Sequence, residues 1–167
     1  MRTLTPVINR CGLEYTDKVA LVTGGAKGIG EGIARVFVDA RAKVVICDKD
    51  VEAGKARAEE LAKKGPGQCH FEPCDVSKPD DIKRAIERAV EVYGRLDCLV
   101  NNAGYHPGNR PIDDFSLEEF LDLLQTDLVS VFVASKYALP HLRKVKGSII
   151  SIGSLASVMA QECGTIY

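Results

Sequence analysis

The sequence predicts an α/β protein built on a doubly wound parallel sheet. Two observations carry that expectation. Short apolar, β-branched runs alternate with helical stretches along the chain, with no repeats, low-complexity tracts or linkers between them. Glycines cluster where the first strand gives way to the first helix, in TGGAKGIG at 23–30. Strands that alternate with helices in this way pair in parallel through right-handed crossovers.

Strands are expected over 18–23, 43–48, 69–73, 97–101 and 147–152, and helices over about 29–41, 51–64, 79–93 and 117–144. The helix at 79–93 should begin at a cap, Ser77 or Pro79, and carries Ile82, Ala85, Ile86, Ala89 and Val90 on one face. Gly65-Pro66-Gly67 and Gly94 stand where helices should stop. The stretch from Leu117 to Lys144 is apolar nearly all round, with Phe120, Leu121, Leu124, Leu128, Val131, Phe132 and Val133. It should therefore be buried on more than one side, by the sheet and by a partner helix. Pro140 should kink or end it. Residues 1–16 read as an N-terminal tail and 17–167 as one domain.

Composition narrows the functional classes. The 22 Lys and Arg against 23 Asp and Glu leave a net charge of −1, which gives no electrostatic case for nucleic acid or an anionic membrane. No apolar run approaches the ~20 residues of a membrane span. The first fifteen residues lack the apolar core of a secretory signal, which leads us to expect a cytoplasmic, reducing setting. The 6 cysteines have no metal-ligand spacing and read as free thiols, with Cys47 and Cys98 in strand-like runs as small buried hydrophobes. His70, His106 and His141 show no ligand spacing with carboxylates or cysteines, so no metal site is expected.

Strand, glycine turn and helix in succession form a cradle for a dinucleotide pyrophosphate. Gly24 allows the tight turn, Gly28 lets backbone approach the phosphates, and Gly30 lets the helix pack close to the strand. Unpaired N–H groups and the positive dipole end of that helix, beginning near Ile29, face the phosphates. Asp48 ends the second strand, where a carboxylate accepts from adenosine ribose hydroxyls and repels a 2′-phosphate. That favours NAD over NADP. Lys27, inside the loop, and Lys49 pull the other way, and Asp48 could also cap the helix that begins near Val51.

TGGAKGIG at 23–30, CDV at 74–76, NNAG at 101–104 and Ser154 with Tyr167 together resemble the short-chain dehydrogenase/reductase superfamily. VVICDKD (44–50), GRLDCLVNNAGYHP (94–107) and ALPHLRK (138–144) resemble its 17β-hydroxysteroid dehydrogenases more specifically. The resemblance implies a Rossmann-type sheet in the order 3-2-1-4-5. It implies Asp75 and Val76 near the adenine, Asn102, Ala103 and Gly104 beside the cofactor, and His106 at the rim of the substrate cleft. Ser154 would hydrogen-bond the substrate oxygen, and Tyr167 would act as general base or acid.

Two departures from the pattern accompany it. Asp127 stands where the family has an asparagine that supports a water and the catalytic lysine. That lysine, four positions past the tyrosine, falls beyond Tyr167. The expected domain is thus incomplete at its carboxyl end, without the family's final strands and helices. Three functional classes stay open. The first is an NAD-dependent dehydrogenase acting on a small secondary alcohol, a sugar or a steroid, homo-oligomeric in its complete form. The second is a non-catalytic NAD-binding module, and the third a truncated interaction partner of a full-length relative.

Overall fold

A computed structural model describes residues 14–159. Five parallel strands, β1 (Val19–Thr23), β2 (Lys43–Asp48), β3 (Gln68–Pro73), β4 (Cys98–Asn101) and β5 (Ser148–Ser151), form one sheet in the order β3-β2-β1-β4-β5. The expected topology is therefore the observed one. Helices α1 (Gly28–Asp39), α2 (Val51–Lys64), α3 (Pro79–Tyr93), α4 (Leu117–Leu124) and α5 (Ser130–Val145) join the strands.

The near-continuous apolar runs of β1 and β2 follow from burial on both faces. On one face Ala20, Val22, Val44 and Ile46 pack with Ala34 and Val38 of α1 and Ala58 and Leu61 of α2. On the other, Val19, Leu21, Val45 and Cys47 pack with Ile82, Ala85, Ile86 and Ala89 of α3 and with Ala134, Ala138 and Leu142 of α5. The stripe expected on α3 is thus the face it buries. The register aligns Val22 with Ile46 and with Val100, so the carboxyl ends of β1, β2 and β4 open on one edge. Strand order reverses between β1 and β4, which leaves a crevice at that edge.

Asp97 anchors the opposite edge. It is 3% exposed, accepts from Val19 N–H at 2.9 Å, and takes both Nε and Nη2 of Arg95 at 2.8 and 2.6 Å. Within the expected tail, Tyr15 donates from its N–H to Ala40 O at 2.8 Å and stacks at a tilt on Phe37.

Several elements differ from expectation. The stretch 117–144 is helical throughout but not α-helical throughout: a π-helical turn at Gln125–Val129 links α4 to α5. Pro140 does not end α5, which runs on to Val145. Pro140 and Lys136 are both exposed, so the carbonyl left without an N–H partner faces water rather than core. Nor is this stretch covered all round. Ala134, Ala138 and Leu142 face the sheet, whereas Leu121, Leu128 and Phe132 are 54, 62 and 66% exposed. Helix α3 is capped by neither Ser77 nor Pro79. Lys78 is its N-cap, Pro79 occupies the first turn, and Ser77 instead donates to Asp75. Asp50, not Asp48, caps α2, accepting from Ala53 N–H at 3.1 Å.

Candidate active site

The glycine loop leaves β1 at Thr23 and enters α1 at Gly28. Gly24 (φ +63°) and Gly28 (φ +58°) hold left-handed backbone that disfavours any side chain. A Cβ at Gly30 would stand 2.1 Å from Gly24 O and 2.5 Å from Asn102 Nδ2, so only glycine fits there. Nothing lies within 4 Å of the place where Gly28 would carry a Cβ, and that open space borders the first turn of α1. The first N–H groups of a helix have no intrahelical acceptors. The loop is thus a backbone-lined cradle with the chemistry of an anion site.

Two clamps fix it. Thr23 Oγ1 accepts from the N–H groups of Asn102 and Ala103, both at 3.0 Å, and Asn102 Nδ2 donates to Thr23 O at 2.9 Å. Asp48 Oδ2 accepts from Ala26 N–H at 3.1 Å, while Oδ1 accepts from Asp50 N–H at 3.0 Å. The carboxylate keeps lone pairs for a ribose hydroxyl, because an ionised carboxylate offers about four acceptor positions.

These pieces surround one cleft of about 640 Å³. Gly24, Lys27, Ile29, Gly30, Asp48, Lys49, Asp75, Val76, Asn102, Ala103 and Gly104, all candidate site residues of the sequence, line it together. Gly28 lies in the same loop but is not among the lining residues. The Asp75 carboxyl is held below the usual range, first by the Ser77 hydroxyl, which donates at 2.7 Å. It therefore stands ionised at neutral pH in the cleft.

The lining also includes residues that sequence reasoning missed: Cys74, Ser77, Tyr105, Asp122, Gln125 and Thr126. Gln125 Nε2 donates to Ser77 O at 3.0 Å, tying the π-helical turn to the loop after β3. The one available signal was the run of polar residues Asp122, Gln125 and Thr126 among the leucines of that helical stretch. Among the described residues, Asp127, His106 and Ser154 do not line the cleft. Asp127 lies behind it, where its Oδ1 accepts from Tyr105 N–H at 3.0 Å. Burial raises the Asp127 pKa, opposed by that N–H and by the field of His106. His106 is exposed and accepts at Nδ1 from Gly108 N–H. Ser154 follows β5, and its Oγ accepts from Ala156 N–H at 3.2 Å to cap a short helical turn. Tyr167 falls outside the described residues.

Burial suppresses thiol reactivity around the sheet, pushing Cys69 up to about 12 and Cys98 up to about 11. Among the described residues no group of three or more His, Cys, Asp or Glu could hold a metal ion, and no helix is long and apolar enough to cross a membrane.

A parallel sheet with a glycine cradle at its switch point and a carboxylate ending the neighbouring strand defines a dinucleotide-binding α/β domain. The chain belongs to the short chain dehydrogenase family, whose model matches residues 18–167. It is 44% identical over 156 residues to an L-fucose dehydrogenase of Bos taurus, covering 93% of this chain and 56% of that protein. Zerumbone synthase of Zingiber zerumbet is 43% identical over 151 residues, 89% of this chain and 55% of that protein. A 7α-hydroxysteroid dehydrogenase, solved with NADH and 7-oxo glycochenodeoxycholic acid, superposes with a TM-score of 0.87 at 30% identity. That match covers 93% of this chain and 60% of the other. The chain spans a little over half the length of these curated relatives.

Proposed function

We propose that this chain forms the cofactor-binding part of an NAD-dependent dehydrogenase that moves a hydride between a secondary alcohol, or its ketone, and the nicotinamide. The observation that carries this reading is the placement of Asp48. Its carboxylate ends β2 beside the glycine loop and lines the cleft. Ribose hydroxyls need an acceptor there, and a 2′-phosphate would meet a negative charge. The bound dinucleotide supplies the hydride chemistry, and the protein positions the reactants and manages the proton.

In this reading Gly24, Gly28 and Gly30, with the start of α1, hold the pyrophosphate. Asp48 and Lys49 flank the adenosine ribose, Asp75 and Val76 border the adenine, and Asn102, Ala103 and Gly104 face the nicotinamide half. Ser154 hydrogen-bonds the substrate oxygen, Tyr167 exchanges its proton, Asp127 supports the loop from behind and His106 stands at the rim. The open Phe132 face of α5 supports a homo-oligomer.

Substrate follows similarity. L-fucose dehydrogenases of four mammals are 42–44% identical to this chain, which favours a sugar hydroxyl. A steroid alcohol is the second reading. It is supported by the segments that resemble 17β-hydroxysteroid dehydrogenase type 14 and by the bile-acid ligand of the hydroxysteroid dehydrogenase structure.

Calorimetric titration with NAD and NADP tests the cofactor, and NADH formation on L-fucose and on a 17β-hydroxysteroid tests the substrate. Tighter NAD binding with fucose turnover is the expected result. Turnover of the steroid alone favours the second reading. NAD binding without turnover on either favours a non-catalytic dinucleotide-binding role.

A further inference from the structure

Lys27 is the one loop residue whose charge argues against NAD. It is the N-cap of α1 and lines the same cleft as Asp48. Only Ala26 separates it from Gly25, and the Ala26 N–H is held by Asp48 itself. A 2′-substituent on a ribose seated at Asp48 would therefore fall within reach of the Lys27 side chain. Yet the Lys27 ammonium does not extend into the cleft unaccompanied: Nζ sits 2.5 Å from Asp50 Oδ2. The bond perturbs both partners, raising the lysine pKa and lowering that of the aspartate.

Asp50 is itself held in place. Its N–H donates to Asp48 Oδ1 at 3.0 Å, and its own Oδ1 caps α2 at Ala53 N–H. One oxygen of Asp50 thus serves the helix while the other serves Lys27.

We infer that Asp50 is a specificity-determining residue for the cofactor: by pairing with Lys27 it withholds that cation from a 2′-phosphate, so that Asp48 decides in favour of NAD. The inference rests on the proposed dinucleotide site. It also explains how a glycine loop with a lysine at this position can accompany an aspartate at the end of β2. The lysine is committed to a neighbouring carboxylate two residues beyond the discriminating one. Lys49, the other cation of the cleft, acts instead on Asp75, whose pKa its field helps to lower.

The test is Asp50→Asn. Asparagine is as good an N-cap as aspartate, so α2 keeps its cap while the charge facing Lys27 disappears. Dissociation constants for NAD and NADP are measured directly by calorimetry on the unmutated chain, on Asp50→Asn, on Lys27→Met and on the double variant. The expected result is a shift of the NAD-to-NADP affinity ratio toward NADP by about fivefold in Asp50→Asn, the scale of an exposed charge pair. That shift should vanish in the Lys27→Met background, where there is no cation to release. A purely structural role would weaken both dinucleotides together and leave the ratio alone.

An unchanged ratio in Asp50→Asn, or a shift that persists without Lys27, overturns the inference while leaving NAD binding intact. Failure of the unmutated chain to bind NAD overturns the proposed function and this inference with it. Asp50→Ser, which also retains a capping side chain, repeats the measurement if the asparagine variant folds poorly.

Discussion

Asn102 donates two hydrogen bonds to Thr23, one from its backbone and one from its side chain. The threonine hydroxyl accepts from the Asn102 N–H at 3.0 Å, and the Thr23 carbonyl accepts from the asparagine side-chain amide at 2.9 Å. Because Asn102 Nδ2 also reaches Gly24 O at 3.2 Å, the same side chain sets the first residue of the glycine loop. Two strands far apart in sequence thereby present their ends as one surface.

Thr23→Val keeps the shape and removes the acceptor, leaving the Asn102 and Ala103 N–H groups without it. A destabilisation of about 1–3 kcal/mol is expected, with weaker NAD binding. Thr23→Ser should cost clearly less. Urea unfolding of both variants checks this, and equal midpoints would show that the hydroxyl is dispensable.

Three glycines of the first turns separate packing from backbone strain. Gly30→Ala drives a Cβ to 2.1 Å from Gly24 O and should abolish dinucleotide binding. Gly28→Ala meets no atom within 4 Å but must hold φ +58°, which costs about 1–2 kcal/mol. Gly32→Ala meets nothing, sits on the exposed face of α1, and should stabilise by up to ~1 kcal/mol. Thermal unfolding should rank the variants Gly32→Ala, Gly28→Ala, Gly30→Ala from most to least stable.

Burial raises the Asp127 pKa, so the folded chain holds that proton more tightly than the unfolded one. Its contribution to stability falls as pH rises from the unfolded value near 4 through the raised folded one. Asp127→Asn removes the penalty while keeping an oxygen for the Tyr105 N–H. The variant should melt higher at pH 7 and lose its advantage in acid. An identical pH profile in both proteins would show that Asp127 is not a charged group in need of solvation.

Asp97 behaves in the opposite sense. Burial draws its pKa up, but Arg95 and the Val19 N–H outweigh it and hold the group below its ordinary value. Its stabilisation is therefore present above pH ~4 and lost as pH falls through the folded pKa. Asp97→Asn should cost about 2–3 kcal/mol at neutral pH and flatten the acid limb of the stability curve. Acid titration monitored by circular dichroism checks both.

Much of the site was legible in the chain because its chemistry is local. Gly24, Gly28 and Gly30 lie within one turn and report backbone demands that hardly depend on distant contacts. Asp48 ends an apolar run that can only be a buried strand. The alternation of such runs with helices predicts a parallel sheet, since parallel strands require crossovers of one hand, whereas its order 3-2-1-4-5 followed only from the family resemblance. The stripe on α3 was readable for the same reason: a period of 3.6 residues leaves a helix one apolar face to bury.

Other features required the fold. Residues 117–144 read as one helix, because the π-helical turn adds a residue to the ladder without marking the composition. The place of Asp127 behind Tyr105, and of Gln125 against Ser77, depends on how that turn orients its polar residues. The charge of Lys27 was visible in the sequence, but its direction was not. Only the turn that brings Asp50 back beside the glycine loop gives Lys27 its partner, and a side chain's charge has a functional meaning only once its nearest counter-charge is known. Sequence determined which residues could build a dinucleotide cradle and where it would open; tertiary structure decided which of their charges remain available to a ligand, because pairing depends on distances that periodicity cannot encode.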